Sequence, residues 1–389
     1  MKKPRFQLFE PLENRIYLTV AAELGDDGDL RVSGDADGAV EILALDAETY
    51  QVSDNGVVVE TVEGVTDDIR ITLEDQSPGR DDQVTIDLAG QTVDRIFADL
   101  GDGNNSFNFQ GGTATGSLLY RGGDGSDTVN IAKDAVVERS VLALLRDGDN
   151  NLNIDGEIGR NLYAFAGDGN DTVSIGEAAS MGGRVYLRLG DGDNTVNLDG
   201  EVSRSVSLRG GDGSDTVKMA ETAFAGGVSL KLGGGDNVVD IGGTVDRGLS
   251  VCAADGNDLV TILATANVGG HVSAHLGDGD NSLTLAGTVD AGLSYGGGDG
   301  NDDVTIAADA VIEGSAKLSL GDGDNTVTHE GEIGGDLIVR SANDEDVVDI
   351  DDEAIVSGAI DAQPGAEPEG RPRRFGRFGG RGLRRGGRF

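Results

Sequence analysis

The stretch Gly190 to Gly210, GDGDNTVNLDGEVSRSVSLRG, places apolar side chains at Val196, Leu198, Val202, Val206 and Leu208 with polar residues between them. Alternation of this kind marks β-strands that turn one face toward a core. The following stretch repeats the scheme with Val217, Met219, Val228, Leu230 and Leu232, and Val260 and Ile262 take the same places further along. A unit this small cannot bury its own apolar face, so the units must stack and share one core.

Working outward, glycine-aspartate turns begin at Gly101, Gly123, Arg146, Gly167, Gly190, Gly211, Gly233, Ala254, Gly277, Gly298, Gly321 and Ala342. Their spacing is 21 to 23 residues, and a pair of units repeats about every 44. The prediction is an all-β fold, a parallel β-helix (β-solenoid) of about 12–13 coils of 21–23 residues, with its acidic turns along one edge. Twelve coils at roughly 4.8 Å per strand make a rod of about 55 to 60 Å. The six prolines, Pro4, Pro11, Pro78, Pro364, Pro368 and Pro372, all avoid the repeat region, as central strands require.

The flanks lack the repeat. Four segments are expected: an N-terminal segment (1–22), an N-terminal β-cap (23–80), the solenoid (81–361) and a disordered Arg/Gly-rich tail (362–389). The cap carries strand-like runs at Val40 to Leu45, Val57 to Val62 and Ile69 to Leu73. A cap is needed because a bare terminal coil is an aggregation-prone edge. Composition agrees with a repetitive fold: 64 of the 389 residues are Gly, aromatics are 4%, and Trp is absent.

The net charge is −40, although residues 371–389 hold eight Arg and no acid. So acidic a body repels nucleic acid and anionic membrane, and it destabilises itself unless cations intervene. Cys252 is the single cysteine, which excludes an intrachain disulfide, and it reads as a core residue. His271, His275 and His329 are too few and scattered for a zinc site. No run reaches the length of a membrane helix.

The turns are of two alternating kinds. One is GGDGSDTV at Gly122 and Gly210, with relatives at Gly167, Ala254 and Gly297; the other is GDGDN at Gly190, Gly277 and Gly321, with variants at Gly101, Arg146 and Gly233. The first kind resembles the G-G-x-G-x-D-x-U-x repeat of the RTX family, a calcium-binding β-helix unit. That resemblance implies Ca²⁺ as cofactor, held by Asp127, Asp171, Asp215, Asp258 and Asp302. Asp147, Asp191, Asp278 and Asp322 at the second position of the other turns complete mixed sites, since calcium takes six to eight oxygens. Here, however, one turn occurs per coil rather than every nine residues, and alternate turns end in Asn105, Asn150, Asn194, Asn237, Asn281 and Asn325.

A second reading is therefore open. Like charges stacked at strand spacing oppose each other, so Asp over Asn halves the charge and permits side-chain hydrogen-bond ladders. One column resists it: Asp102, Asp124, Asp147, Asp168, Asp191 and Asp212 follow one another on successive coils, and Asp255, Asp278, Asp299 and Asp322 resume the column after Gly234. A cation between such carboxylates relieves their repulsion.

Phe9 to Leu18, FEPLENRIYL, resembles the LEPR-XLL segment of bacterial surface and secreted proteins, which implies export to the cell surface or beyond. The expected function is a non-enzymatic structural or adhesive repeat protein; the alternative is a β-helix enzyme or binder of polysaccharide or polyanionic ligands. The repeat runs almost unbroken, which argues against a catalytic site. Expected partners are calcium and, through the Arg-rich tail, an anionic cell-surface polymer or another copy of the chain.

Overall fold

A computed structural model describes residues 20–36, 38–73, 80–342 and 345–363. The Phe9 to Leu18 segment and the Arg-rich tail lie outside the described residues. The chain is a parallel β-solenoid of about 13 turns, with no helix among the described residues. Each coil carries three strands, as in Thr195–Leu198, Glu201–Val202 and Val206–Gly210. The strands equivalent to Val206–Gly210, with the antiparallel Ala21–Leu24 at one edge, build a first sheet of 16 strands, those equivalent to Thr195–Leu198 a second, and the two-residue strands a narrow third face.

Stacking is in register, so apolar residues meet their own kind on the next coil. Val196 pairs with Val217, Leu198 with Met219, Val206 with Val228 and Leu208 with Leu230. Val196, Leu198, Val202, Val206 and Leu208 are each at most 2% exposed. Burying such side chains contributes about 1.5–3 kcal/mol apiece, but only when coils lie on both sides.

The double period has a structural cause. On alternate coils the first-sheet strand holds one extra residue, a buried leucine (Leu100, Leu145, Leu189, Leu232 or Leu276), where the register shifts as in a β-bulge. The turn that follows is one residue shorter, Gly190 to Asn194 against Gly210 to Asp215, and offsets the insertion. The remaining length difference falls at the corner after the second sheet, where Gly176 to Ala179 closes a turn by an Ala179 N–H to Gly176 carbonyl bond.

The stack begins before the first glycine-aspartate turn. Leu30–Gly34 pairs in parallel with Ile69–Leu73, and Ala39–Ala44 with Gln83–Val93, so residues 23–80 contain strands of both sheets. Antiparallel strands cover these leading edges: Ala21–Leu24 lies on Leu30–Gly34, and the hairpin Thr49–Asp54 and Val57–Glu63 lies on Ala39–Ala44. Its turn residues Asn55 and Gly56 both have positive φ, the conformation of a tight two-residue hairpin turn.

Cys252 departs from expectation. Leu249 and Val251 take the inward positions of Leu249–Ala253, which places Cys252 on the outer face between Lys231 and His275. The core instead contains His329, fully buried between Ile306 and Ile350 with neither ring nitrogen hydrogen-bonded. Burial pushes its pKa below the ordinary histidine value. The unfolded chain therefore takes up a proton that the folded one refuses, and this position loses stability as pH falls below about 6.5. His329→Leu is expected to raise the thermal midpoint at pH 7 and to raise it further at pH 5. Equal midpoints for the two chains at both pH values would refute that assignment.

Candidate functional site

The glycine-aspartate turns stack along one edge. The central glycine N–H of a turn donates to the carbonyl of the aspartate on the next coil, as in Gly125 to Asp147 (2.9 Å), Gly148 to Asp168 (2.8 Å) and Gly169 to Asp191 (3.0 Å), with Gly234 taking the aspartate's place as acceptor for Gly213. These glycines hold φ from +93° to +139°, a region that side chains disfavour. A Cβ on Gly148 would also lie 2.3 Å from the Gly125 carbonyl oxygen.

Inside this edge runs a column of Asn and Asp in alternation. Asn105, Asp127, Asn150, Asp171, Asn194, Asp215, Asn237, Asp258, Asn281, Asp302 and Asn325 are each at most 2% exposed. Every backbone N–H in the series donates to the side-chain Oδ1 of the next coil: Asn105 to Asp127, Asp127 to Asn150 and Asn150 to Asp171 at 3.0 Å, and onward to Asp346. The asparagines are fully used. Asn150 Nδ2 donates to the carbonyls of Gly148 (2.9 Å) and Arg146 (3.1 Å) and to Asp171 Oδ1 (2.9 Å).

The aspartates are not. Oδ2 of Asp127, Asp171, Asp215, Asp258 and Asp302 is buried without a hydrogen-bond partner. Against Asp127, Asp215 and Asp302 it packs so tightly on Gly122, Gly210 and Gly297 that a Cβ there would come within 1.8 Å of it. Tyr120 and Tyr295 hold their hydroxyls beside Asp127 and Asp302, and burial together with those carboxyls raises the tyrosine pKa values. Burial pushes the carboxyls of Asp127 and Asp171 up to about 7, and those of Asp215, Asp258 and Asp302 up to about 6, against the opposing pull of the asparagine N–H donors. A buried carboxylate oxygen with no donor calls for a proton or a cation.

Asp124, Asp147, Asp168, Asp191, Asp212, Asp255, Asp278, Asp299 and Asp322 stand outside, exposed along the edge. Seven of them, together with Asp102, are joined in four pairs. Oδ1 of Asp102, Asp147, Asp191 and Asp278 accepts the N–H of Asp124, Asp168, Asp212 and Asp299. A third column beside them alternates the other way, with Asp149 accepting from Asn170 (2.7 Å) and Asn170 from Asp193 (2.8 Å). The fourteen expected ligands thus divide into five buried residues and nine on the surface of one edge.

Sequence reasoning missed a further acidic group. Asp29, Asp67 and Asp68 bring carboxylate oxygens within 4.8 Å of one another near the start of the stack. Arg70 pairs with Asp29 and Asp68, and Arg95 with Asp68, so two guanidinium groups offset much of the charge of the three carboxyls. Asp67 and Asp68 are neighbours in the chain, and the pairing of Leu30–Gly34 with Ile69–Leu73 brings Asp29 to them from a coil that lacks the turn motif.

No protein-family model matches the chain, and no curated protein matches it. Among solved structures it is similar to a hyperactive, Ca²⁺-dependent, β-helical antifreeze protein from an Antarctic bacterium, with 21% sequence identity, a TM-score of 0.45, and coverage of 73% of this chain and 83% of that one.

Proposed function

We propose that the chain is a non-enzymatic structural rod, exported to the cell surface or beyond, whose glycine-aspartate edge is stiffened by bound Ca²⁺. The observation that carries this reading is the set of five buried Oδ2 atoms without hydrogen-bond partners, on the same edge as an exposed column of stacked carboxylates. The candidate ligands are Asp127, Asp171, Asp215, Asp258 and Asp302 from within, the nine exposed aspartates from without, and the carbonyls of the turns. Oxygen-only donors in such number suit a hard cation with high coordination. Bound calcium would supply positive charge and fill coordination sites that a proton satisfies only one oxygen at a time.

Two further observations support a structural role. From Thr128 to Arg340 strand pairing passes from coil to coil with no insertion longer than two residues, leaving little room in which a catalytic site would be built. The resemblance of Phe9 to Leu18 to LEPR-XLL segments supports export, into surroundings where calcium is plentiful.

The test is thermal unfolding after chelator treatment. Ca²⁺ is expected to raise the midpoint in step with the logarithm of its free concentration. Mg²⁺ should do less, because it dehydrates reluctantly and demands near-octahedral geometry. Equal stabilisation by NaCl at matched ionic strength would reject specific sites and leave charge screening as the explanation.

A further inference from the structure

The outer face of the first sheet presents two side-chain columns, because alternate residues of each strand point outward. In one column Arg188, Arg209 and Lys231 stand in register on three successive coils, all exposed. None of the three has an ion-pair partner among the described residues. Like charges in direct register repel. The chain has 70 acidic residues, yet it places no acid or amide between these cations.

The neighbouring column continues Tyr163, Tyr186, Ser207, Ser229 and Ser250 along the same coils. The rings of Tyr163 and Tyr186 lie 6.5 Å apart, and Phe165 lies 5.9 Å from Tyr186. Tyr163 also closes one end of a groove of about 450 Å³ lined by Phe97, Leu119, Leu142 and Arg95. Along the rod axis, then, a shallow groove leads to an aromatic platform and on to three cations flanked by hydroxyls.

We infer that this stripe binds an anionic polysaccharide laid along the rod. The exposed ring of Tyr163 and the half-buried rings of Phe165 and Tyr186 offer apolar faces to the C–H surfaces of sugars, and cations at strand spacing meet repeated acidic groups of one linear chain. The acidic edge of a second copy would match the cations but offers nothing to the aromatic platform. This site lies on the first sheet rather than on the turns, so it does not depend on calcium.

The test uses the full-length chain in chelator, with fluorescent dextran sulfate as probe and neutral dextran of equal length as control. Because the tail arginines also attract polyanions, an Arg188→Gln/Arg209→Gln/Lys231→Gln variant is compared with a full-length variant whose eight Arg in 371–389 are Ser. The stripe variant is expected to bind dextran sulfate at least about tenfold more weakly, with a shallower dependence of affinity on salt, since fewer counterions are released. Tyr186→Ser is expected to weaken binding several-fold without changing the salt dependence. Should the triple variant fail to fold, Lys231→Gln alone is expected to lose about threefold. Affinity within twofold of the parent in all stripe variants, with the loss confined to the tail variant, would overturn the inference. So would equal binding of neutral dextran, or a stripe variant that alters only self-association in sedimentation.

Discussion

Replacing Asp127, Asp171, Asp215, Asp258 and Asp302 together with Asn is expected to stabilise the calcium-free rod at pH 8 and to remove most of its response to calcium. Each of these carboxyls is held up to about 6 or 7 by burial, above the ordinary carboxylate range. A folded-state pKa raised above the unfolded value means that the folded chain binds more protons in between. The contribution to stability is therefore fully present below about pH 4 and is lost as pH rises through 6 to 7.

The loss is on the order of 3 kcal/mol for one such group, and less than the sum for five that share a ladder. Asn removes the titration and supplies an N–H2 where Oδ2 has no donor, as Asn150 and Asn194 already do on alternate coils. The wild-type rod should thus be more stable at pH 5 than at pH 8 when calcium is absent, and the five-Asn rod should be nearly flat over that range. Thermal or urea unfolding at the two pH values checks both statements. A five-Asn chain less stable than the parent at pH 8 would show that the carboxylates are satisfied in some other way.

Gly148→Ala and Gly192→Ala are expected to be strongly damaging single methyl additions in the turns. Both residues hold positive φ, +122° and +120°, and the added Cβ would lie 2.3 and 2.2 Å from the carbonyl oxygens of Gly125 and Gly169. Those contacts are with backbone, which cannot rotate away, so the stacked turns must separate and the N–H to carbonyl bonds between them break. Strained φ costs of order 1–3 kcal/mol by itself, and the lost bonds add to it. By contrast Gly56→Ala in the leading hairpin meets no atom within 4 Å and should cost only the φ strain. Local protection from amide exchange distinguishes the outcomes: the turn variants should open several neighbouring coils, the hairpin variant only its own turn.

Much of this architecture was legible in the residues. The two-residue period of Val196 and Leu198 or Val206 and Leu208, and the return of the turn every 21 to 23 residues, define the coil without reference to any relative. Asp over Asn on successive coils announced a ladder, and the ladder is there, bonded from N–H to Oδ1 at every step. Its burial was not legible. Polar residues at a turn read as solvent-facing, and here the last turn residue points inward because backbone N–H groups of the neighbouring coil satisfy its Oδ1.

The leucine bulges escaped for a related reason. Leu145 and Leu189 each follow an outward residue and look like the next member of a regular alternation, so only the pairing register reveals the insertion. Residues 23–80 hid the first strands of the stack because they lack the turn that marks later coils. Cys252 was misplaced by its apolar neighbours, although counting by twos from Leu249 puts it outside. The stripe of Arg188, Arg209 and Lys231 was recoverable from spacings of 21 and 22 residues, but only after the coils were aligned on one another.

The central claim is that calcium takes the place of protons on the buried turn carboxyls. Calorimetric titration of the chelator-treated rod with Ca²⁺ at pH 6.5, repeated in two buffers of different ionisation heat, measures the protons released on binding. The account predicts saturable binding with proton release by the wild-type chain and none by the five-Asn chain. Tight calcium binding with no proton release, or identical titrations for the two chains, would contradict it.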